Sequence, residues 1–161
     1  HLLDDEIRNR MIETIEAEGP IMRPLLYKRV ITSFSLKKVG SRIEPVFDEI
    51  ASSLQYQVTS DAGETVYHNG KDENFFRTAP LSERYSYQIP TEEAAMCINY
   101  ILENENRIIT KSELMILFRN ELGYERIGAQ VDALFQRAAR SASVIRTGNG
   151  RFRPQELSAK R

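Results

Sequence analysis

Residues 21–47 and 109–135 carry the same apolar pattern at an offset of 88 residues, and no other feature limits the fold as strongly. Leu26 aligns with Leu114, Val30 with Phe118, Phe34 with Leu122, Val39 with Ile127, Ile43 with Val131, Val46 with Leu134 and Phe47 with Phe135. Gly40 and Gly128 also coincide, each closing a basic-apolar-glycine tripeptide, Lys38-Val39-Gly40 and Arg126-Ile127-Gly128. Any two amphipathic helices align somewhere, but that does not account for the glycine tripeptides or for the matched flanks. Self-similarity at a fixed spacing marks a repeated supersecondary unit, so two copies of one helical unit are expected.

Each copy reads as three helices followed by a hairpin. The first helix is expected over about 4–18, where Ile7, Met11, Ile12 and Ile15 share a face and Glu18-Gly19-Pro20 stops the run. Its counterpart is expected over about 91–104, with Thr91 as N-cap after Pro90. For the second helix, Thr110-Lys111-Ser112-Glu113 is a capping box and Gly123 supplies the left-handed end; the partner helix follows Arg23-Pro24. The third helix is expected to start at Ser41, from the box Ser41-Arg42-Ile43-Glu44, and to match a helix over about 129–142. Hairpins follow at 56–59 and 65–68, and at 143–147 and 151–153 around Gly148-Asn149-Gly150. Residues 69–89 are polar with scattered aromatics and read as an irregular connection, in which Tyr85-Ser86-Tyr87 offers an edge strand by its alternation. The expected class is mainly α with short β-hairpins (α+β), a tandem pair of winged-helix units, each a helix-turn-helix plus wing. The expected boundaries are unit 1 over 1–78, a linker over 79–90 and unit 2 over 91–161.

Catalytic chemistry finds little footing. There is no phosphate-loop motif. His1, His68 and Cys97 do not make a zinc set of ordinary ligand spacing. Cys97 lies among Ala95, Met96 and Ile98, where a buried, inert thiol is expected, and a single cysteine excludes an intrachain disulfide. The carboxylate pairs Glu92 and Glu93, and Glu103 and Glu105, read as solvent-facing helix charges. No enzyme activity, metal or cofactor is expected. No apolar run reaches membrane-spanning length and no signal-peptide pattern opens the chain, so a cytoplasmic protein without membrane attachment is expected.

Charge points to nucleic acid instead, although the formal net charge is only −1. Residues 21–42 hold six Lys and Arg and no acid, while 137–161 hold seven against Glu156 alone. In a winged helix the third helix enters the major groove and the wing lies over the adjoining backbone. The first unit would present Lys37, Lys38 and Arg42 at the turn and start of its third helix. The second would present Arg126, Arg137 and Arg140 along the helix, with Arg146, Arg151 and Arg153 on the wing. Such contacts to phosphate give nonspecific, salt-sensitive binding to DNA.

Glu18-Gly19-Pro20-Ile21, then 36–43 (LKKVGSRI), then 122–129 (LGYERIGA) resemble an uncharacterised domain family at the C-terminal end of very large bacterial proteins. Those proteins carry a superfamily I helicase-like ATPase core and often a small endonuclease-like domain. The resemblance spans about residues 4–154. It implies a non-catalytic accessory domain of a bacterial DNA helicase, whose partners are DNA and the parent's other domains, and it brings no catalytic residues. Gln130 stands where the first copy has Arg42, so a shared phosphate-contacting role for that position does not follow. The alternative is a protein-docking or dimerisation module within a large multidomain ATPase, since a fold alone does not choose its use. The acidic first helix, the near-neutral total charge and the linker aromatics favour that alternative.

Overall fold

The structure, a computed structural model, describes residues 2–37, 40–71, 75–147 and 150–155. The chain divides into two compact units, 1–71 and 72–161. Both are helical with short antiparallel strands, an α+β class. Among the described residues no helix is long and apolar enough to cross a membrane.

The first unit runs α1 (Leu2–Glu18), β1 (Ile21–Met22), α2 (Arg23–Ser33), α3 (Glu44–Ser52), β2 (Gln57–Asp61) and β3 (Glu64–His68). Helix α1 buries Ile7, Met11 and Ile15, three residues at four-residue spacing on one stripe. They meet Leu26, Val30 and Ile31 of α2 and Phe47 and Ile50 of α3 in one core. Tyr27 and Phe47 meet edge to face at 5.3 Å. Arg10 fastens α1 to the end of α2, stacking over Phe34 at 3.7 Å and donating to the Ser33 carbonyl at 2.7 Å. Strand β3 is central: β1 pairs on one side (Ile21 with Tyr67) and β2 on the other (Val58 with Tyr67). Ala62 and Gly63, at φ 51° and 83°, form the two-residue loop whose twist suits a hairpin.

The second unit opens with a short helix α4 (Ala79–Ser82) and a 3-10 turn (Ser86–Gln88). The order of the first unit then returns as α5 (Thr91–Glu105), β4 (Ile109–Thr110), α6 (Lys111–Leu122), α7 (Ala129–Ser141), β5 (Val144–Arg146) and β6 (Arg151–Pro154). Its sheet has the same order, β4-β6-β5, with Ile109 opposite Phe152. The α6 capping box forms: Glu113 N–H donates to Thr110 Oγ1 at 3.1 Å, and Gly123, at φ 88°, closes the helix. Phe118, Phe135 and Phe152 interlock edge to face in the core, at 5.4 and 6.5 Å.

Several expectations are corrected. Helix α3 starts at Glu44 instead of Ser41, with Pro45 in its first turn and no side-chain cap. Proline has no N–H to give, so Pro45 cannot make the helical bond to the Ser41 carbonyl. Thr91 is the first residue of α5, and Pro90 is the N-cap. Tyr85-Ser86-Tyr87 is no edge strand: Ser86 and Tyr87 begin the 3-10 turn, and rings 85 and 87 stack at 5.6 Å. Residues 79–90, read from the sequence as a linker, group with the second unit, and Arg84, Ser86 and Ile89 are buried there. The paired glycines need no special conformation: Gly128 lies at φ −93°, and neither Gly40 nor Gly128 has a neighbour that a side chain would strike. Gly128 is the N-cap of α7 and its carbonyl accepts from Asp132 at 3.0 Å, whereas the Gly40 carbonyl accepts from Glu44 at 3.0 Å in the turn that precedes α3.

Candidate nucleic-acid interface

The third helix and hairpin of each unit are the elements on which the basic residues were expected, and the two units treat them differently. In the first, residues 43–68 contain five acids, Glu44, Asp48, Glu49, Asp61 and Glu64, and no Lys or Arg. In the second, residues 129–155 contain five arginines against Asp132 alone. A polyanion is repelled by the first set and attracted by the second.

Lys37 is exposed on the chain leaving α2, and Arg42 is exposed in the turn before α3. Because α3 begins only at Glu44, these cations precede the helix, and the helix itself is acidic. Lys37 thus lies before the turn, as expected, while Arg42 lies in the turn and not at the start of the third helix. Lys38 lies outside the described residues.

In the second unit Arg126 is exposed on the turn before α7, and Arg140 is exposed in the last turn of α7, where the helix dipole favours a cation. Arg151 is exposed at the start of β6, opposite Thr110. Arg137 is half-buried and donates from Nε to Thr91 Oγ1 at 3.3 Å, so it ties α7 to the start of α5. Arg153 is also half-buried and donates to the Pro154 carbonyl at 3.3 Å. The side chain of Arg146 lies outside the described residues. Among the described residues, Lys37, Arg42, Arg126, Arg140 and Arg151 have no carboxylate within ion-pair distance.

The strongest ionic structure in the chain lies elsewhere, and sequence reasoning missed it. Glu93, expected to face solvent, is 3% exposed; Arg84 is 4% exposed. Two parallel hydrogen bonds join them, one at 2.9 Å from Nη1 to Oε1, and the Arg77 N–H adds a third at 2.9 Å. Tyr124 donates to the Arg84 carbonyl at 3.0 Å, and burial pushes its phenol up to about 12. Every buried polar side-chain atom among the described residues has a partner, so the cluster is satisfied and closed rather than poised for chemistry. Its sequence signal was an arginine and a glutamate nine positions apart across a proline, which only the folded chain brings together.

In the first unit a polar cleft beside α2 and α3 holds Arg23, Tyr27, Glu44, Asp48 and Glu64. Tyr27 donates to Asp48 at 2.5 Å, and burial together with that bond raises its phenol well above the ordinary range. Among the described residues no group of three or more His, Cys, Asp and Glu side chains could hold a metal ion. Cys97 is buried, and burial pushes its thiol far up.

Residues 4–45 match the model of a family described as a protein of unknown function, DUF3320. The matched stretch covers α1 from Asp4, β1, α2 and the turn into α3, all within the first unit. No curated protein and no solved structure matches the chain significantly.

Proposed function

We propose that the chain is a non-catalytic nucleic-acid-binding accessory module built as a tandem pair of winged-helix units, and that the second unit holds the DNA backbone. The observation that carries this is the run of five arginines against one acid across α7 and its hairpin, with Arg140 and Arg151 exposed. Arg126 adds a third exposed cation before the helix. The order helix, short strand, helix, helix, hairpin, with the short strand beside the hairpin's second strand, supports the winged-helix reading of each unit. Cations of this kind meet phosphate, so binding is backbone-directed and carries little sequence information. The resemblance to the C-terminal domain of helicase-like proteins supports a parent ATPase that uses the module to hold DNA near its motor, in the bacterial cytoplasm.

Gel-shift or fluorescence titrations of the whole chain with duplex, forked and single-stranded DNA at several salt concentrations test this reading. Replacing Arg126, Arg140 and Arg151 together with alanine is expected to weaken duplex binding at low salt about tenfold or more. Lys37→Ala with Arg42→Ala is expected to change it less than about threefold, because α3 and its hairpin repel phosphate. Equal affinity of the triple variant and the parent would remove the proposal.

The salt dependence gives a separate measurement. Arg151→Ala is expected to lower the slope of log K against log salt by about 0.9, the value for one phosphate contact on duplex DNA. An unchanged slope would place the hairpin of the second unit away from the nucleic acid.

A further inference from the structure

Backbone binding leaves one feature of the second unit unused. Tyr85 and Tyr87 carry large rings that burial would suit, yet 61% of the first and 52% of the second is exposed. The rings lie nearly parallel, 11° apart in plane and 5.6 Å between centroids. Stacked in this way they form one π surface, and each ring has a second face that its partner does not take.

The pair is held in place from both ends of the 3-10 turn. Ser86, between the two tyrosines, is buried. The Tyr85 N–H donates to Gln88 Oε1 at 2.8 Å, and the Ile89 N–H donates to the Ser86 carbonyl at 3.2 Å. Before the turn Arg84 is fixed on Glu93, and after it Ile89 enters the core. Something laid on rings so placed costs them little freedom, since a tyrosine has only two side-chain torsions to lose.

Cations flank the pair. The Tyr124 hydroxyl donates to the carbonyl of Arg84, the residue before Tyr85, and exposed Arg126 follows two positions after Tyr124. Beyond the other end of the turn, Arg137 of α7 donates to Thr91 Oγ1 at 3.3 Å, and the turn itself packs against α7. Exposed Glu83 and Glu125 stand beside these residues in the chain. Charge alone therefore does not draw a polyanion onto the turn, and the rings have to supply the local affinity.

We propose that Tyr85 and Tyr87 form a stacking site for the unpaired bases of single-stranded DNA, whose backbone runs on to the arginines of the second unit. Every base has a π face, so the site accepts single strands with little regard to sequence. In a duplex those faces are already stacked on one another. The inference rests on the reading of the second unit as a DNA-binding module, and adds to it the form of DNA that this part of the unit takes. A protein partner could also cover two tyrosines; the parallel rings and the flanking arginines favour bases.

The test is fluorescence-anisotropy titration of the whole chain with three labelled ligands: oligothymidine, an abasic strand of the same length, and a duplex of the same length. The unaltered chain is expected to bind oligothymidine about tenfold or more tightly than the abasic strand, which has the phosphates without the bases. Tyr85→Ala with Tyr87→Ala is expected to remove that difference and to change duplex binding less than about twofold. The fold-loss is expected to be the same at low and high salt, because stacking releases no counterions. Tyr85→Phe with Tyr87→Phe keeps the rings and is expected to keep the affinity. The abasic comparison needs no variant, so it decides the matter even if the alanine pair disturbs folding.

Equal affinity of the unaltered chain for oligothymidine and the abasic strand overturns the stacking site while leaving backbone binding in place. So does an alanine pair that leaves oligothymidine binding unchanged or weakens duplex and single strand alike. Self-association that the alanine pair abolishes assigns the tyrosines to a protein contact and overturns it too. Failure of all three DNAs to bind removes the DNA-binding reading itself, and this site with it.

Discussion

Glu93→Ala is expected to lower the unfolding free energy by about 3–5 kcal/mol. The carboxylate is 3% exposed and accepts from Arg84 and from the Arg77 backbone; its removal leaves the Arg84 guanidinium buried with no counter-charge. The cost is mostly that stranded cation, not the worth of the pair itself. Replacing both partners together, Arg84→Met with Glu93→Leu, is therefore expected to recover most of the loss. Urea denaturation of the whole chain, with hydrogen exchange at the amides of α5 to assign the effect to the second unit, measures both. A loss under about 1 kcal/mol for Glu93→Ala would match a solvated surface pair, and so would refute the buried network.

The second large effect comes from comparing equivalent positions of the repeat. Leu134→Ala is expected to cost about 2–5 kcal/mol, since its side chain is fully buried in the core of the second unit. Val46→Ala, at the matching position of the first unit, is expected to stay within about 0.5 kcal/mol, because that side chain has water on one side. Denaturation midpoints of the two variants, at unchanged denaturant slope, decide it. Comparable losses at the two sites would mean that the Val46 side chain is enclosed in solution as Leu134 is.

What could be read from the residues was what depends on local spacing. The capping box at Thr110 and the glycine end at Gly123 each act within one or two turns of chain and formed as expected, and of the expected face Ile7, Met11, Ile12 and Ile15 all but the half-buried Ile12 enter the core. The aligned positions Leu26 and Leu114, Val30 and Phe118, and Phe47 and Phe135 are all buried. Val46 and Leu134 part company: Leu134 is buried in a core that also takes in Ile89, from outside the aligned segment, whereas Val46 is exposed. The segment 79–90 was misread because its apolar content is thin; a buried arginine, a proline against a glycine and one isoleucine hold it in place.

At the candidate interface the contrast between residues 43–68 and 129–155 was present in the sequence from the start. It was obscured by counting cations along segments that cross an element boundary. Arg42, expected at the start of the third helix, belongs to the preceding turn because α3 begins only at Glu44. Arg137 and Arg153 could not be told from Arg140 and Arg151 by type; only their hydrogen bonds to Thr91 and to the Pro154 carbonyl separate them.

Cys97, packed in the core on α5 with its thiol held in the protonated form, has a practical consequence. A thiolate is the species that attacks a maleimide, and a buried thiol supplies almost none at neutral pH. These 161 residues therefore offer a silent background for site-directed labelling. A cysteine placed at exposed Ser60 in β2, or at Ser143 just before β5, would carry the only reactive sulfur, so a fluorophore could be attached beside either hairpin without first removing the native residue.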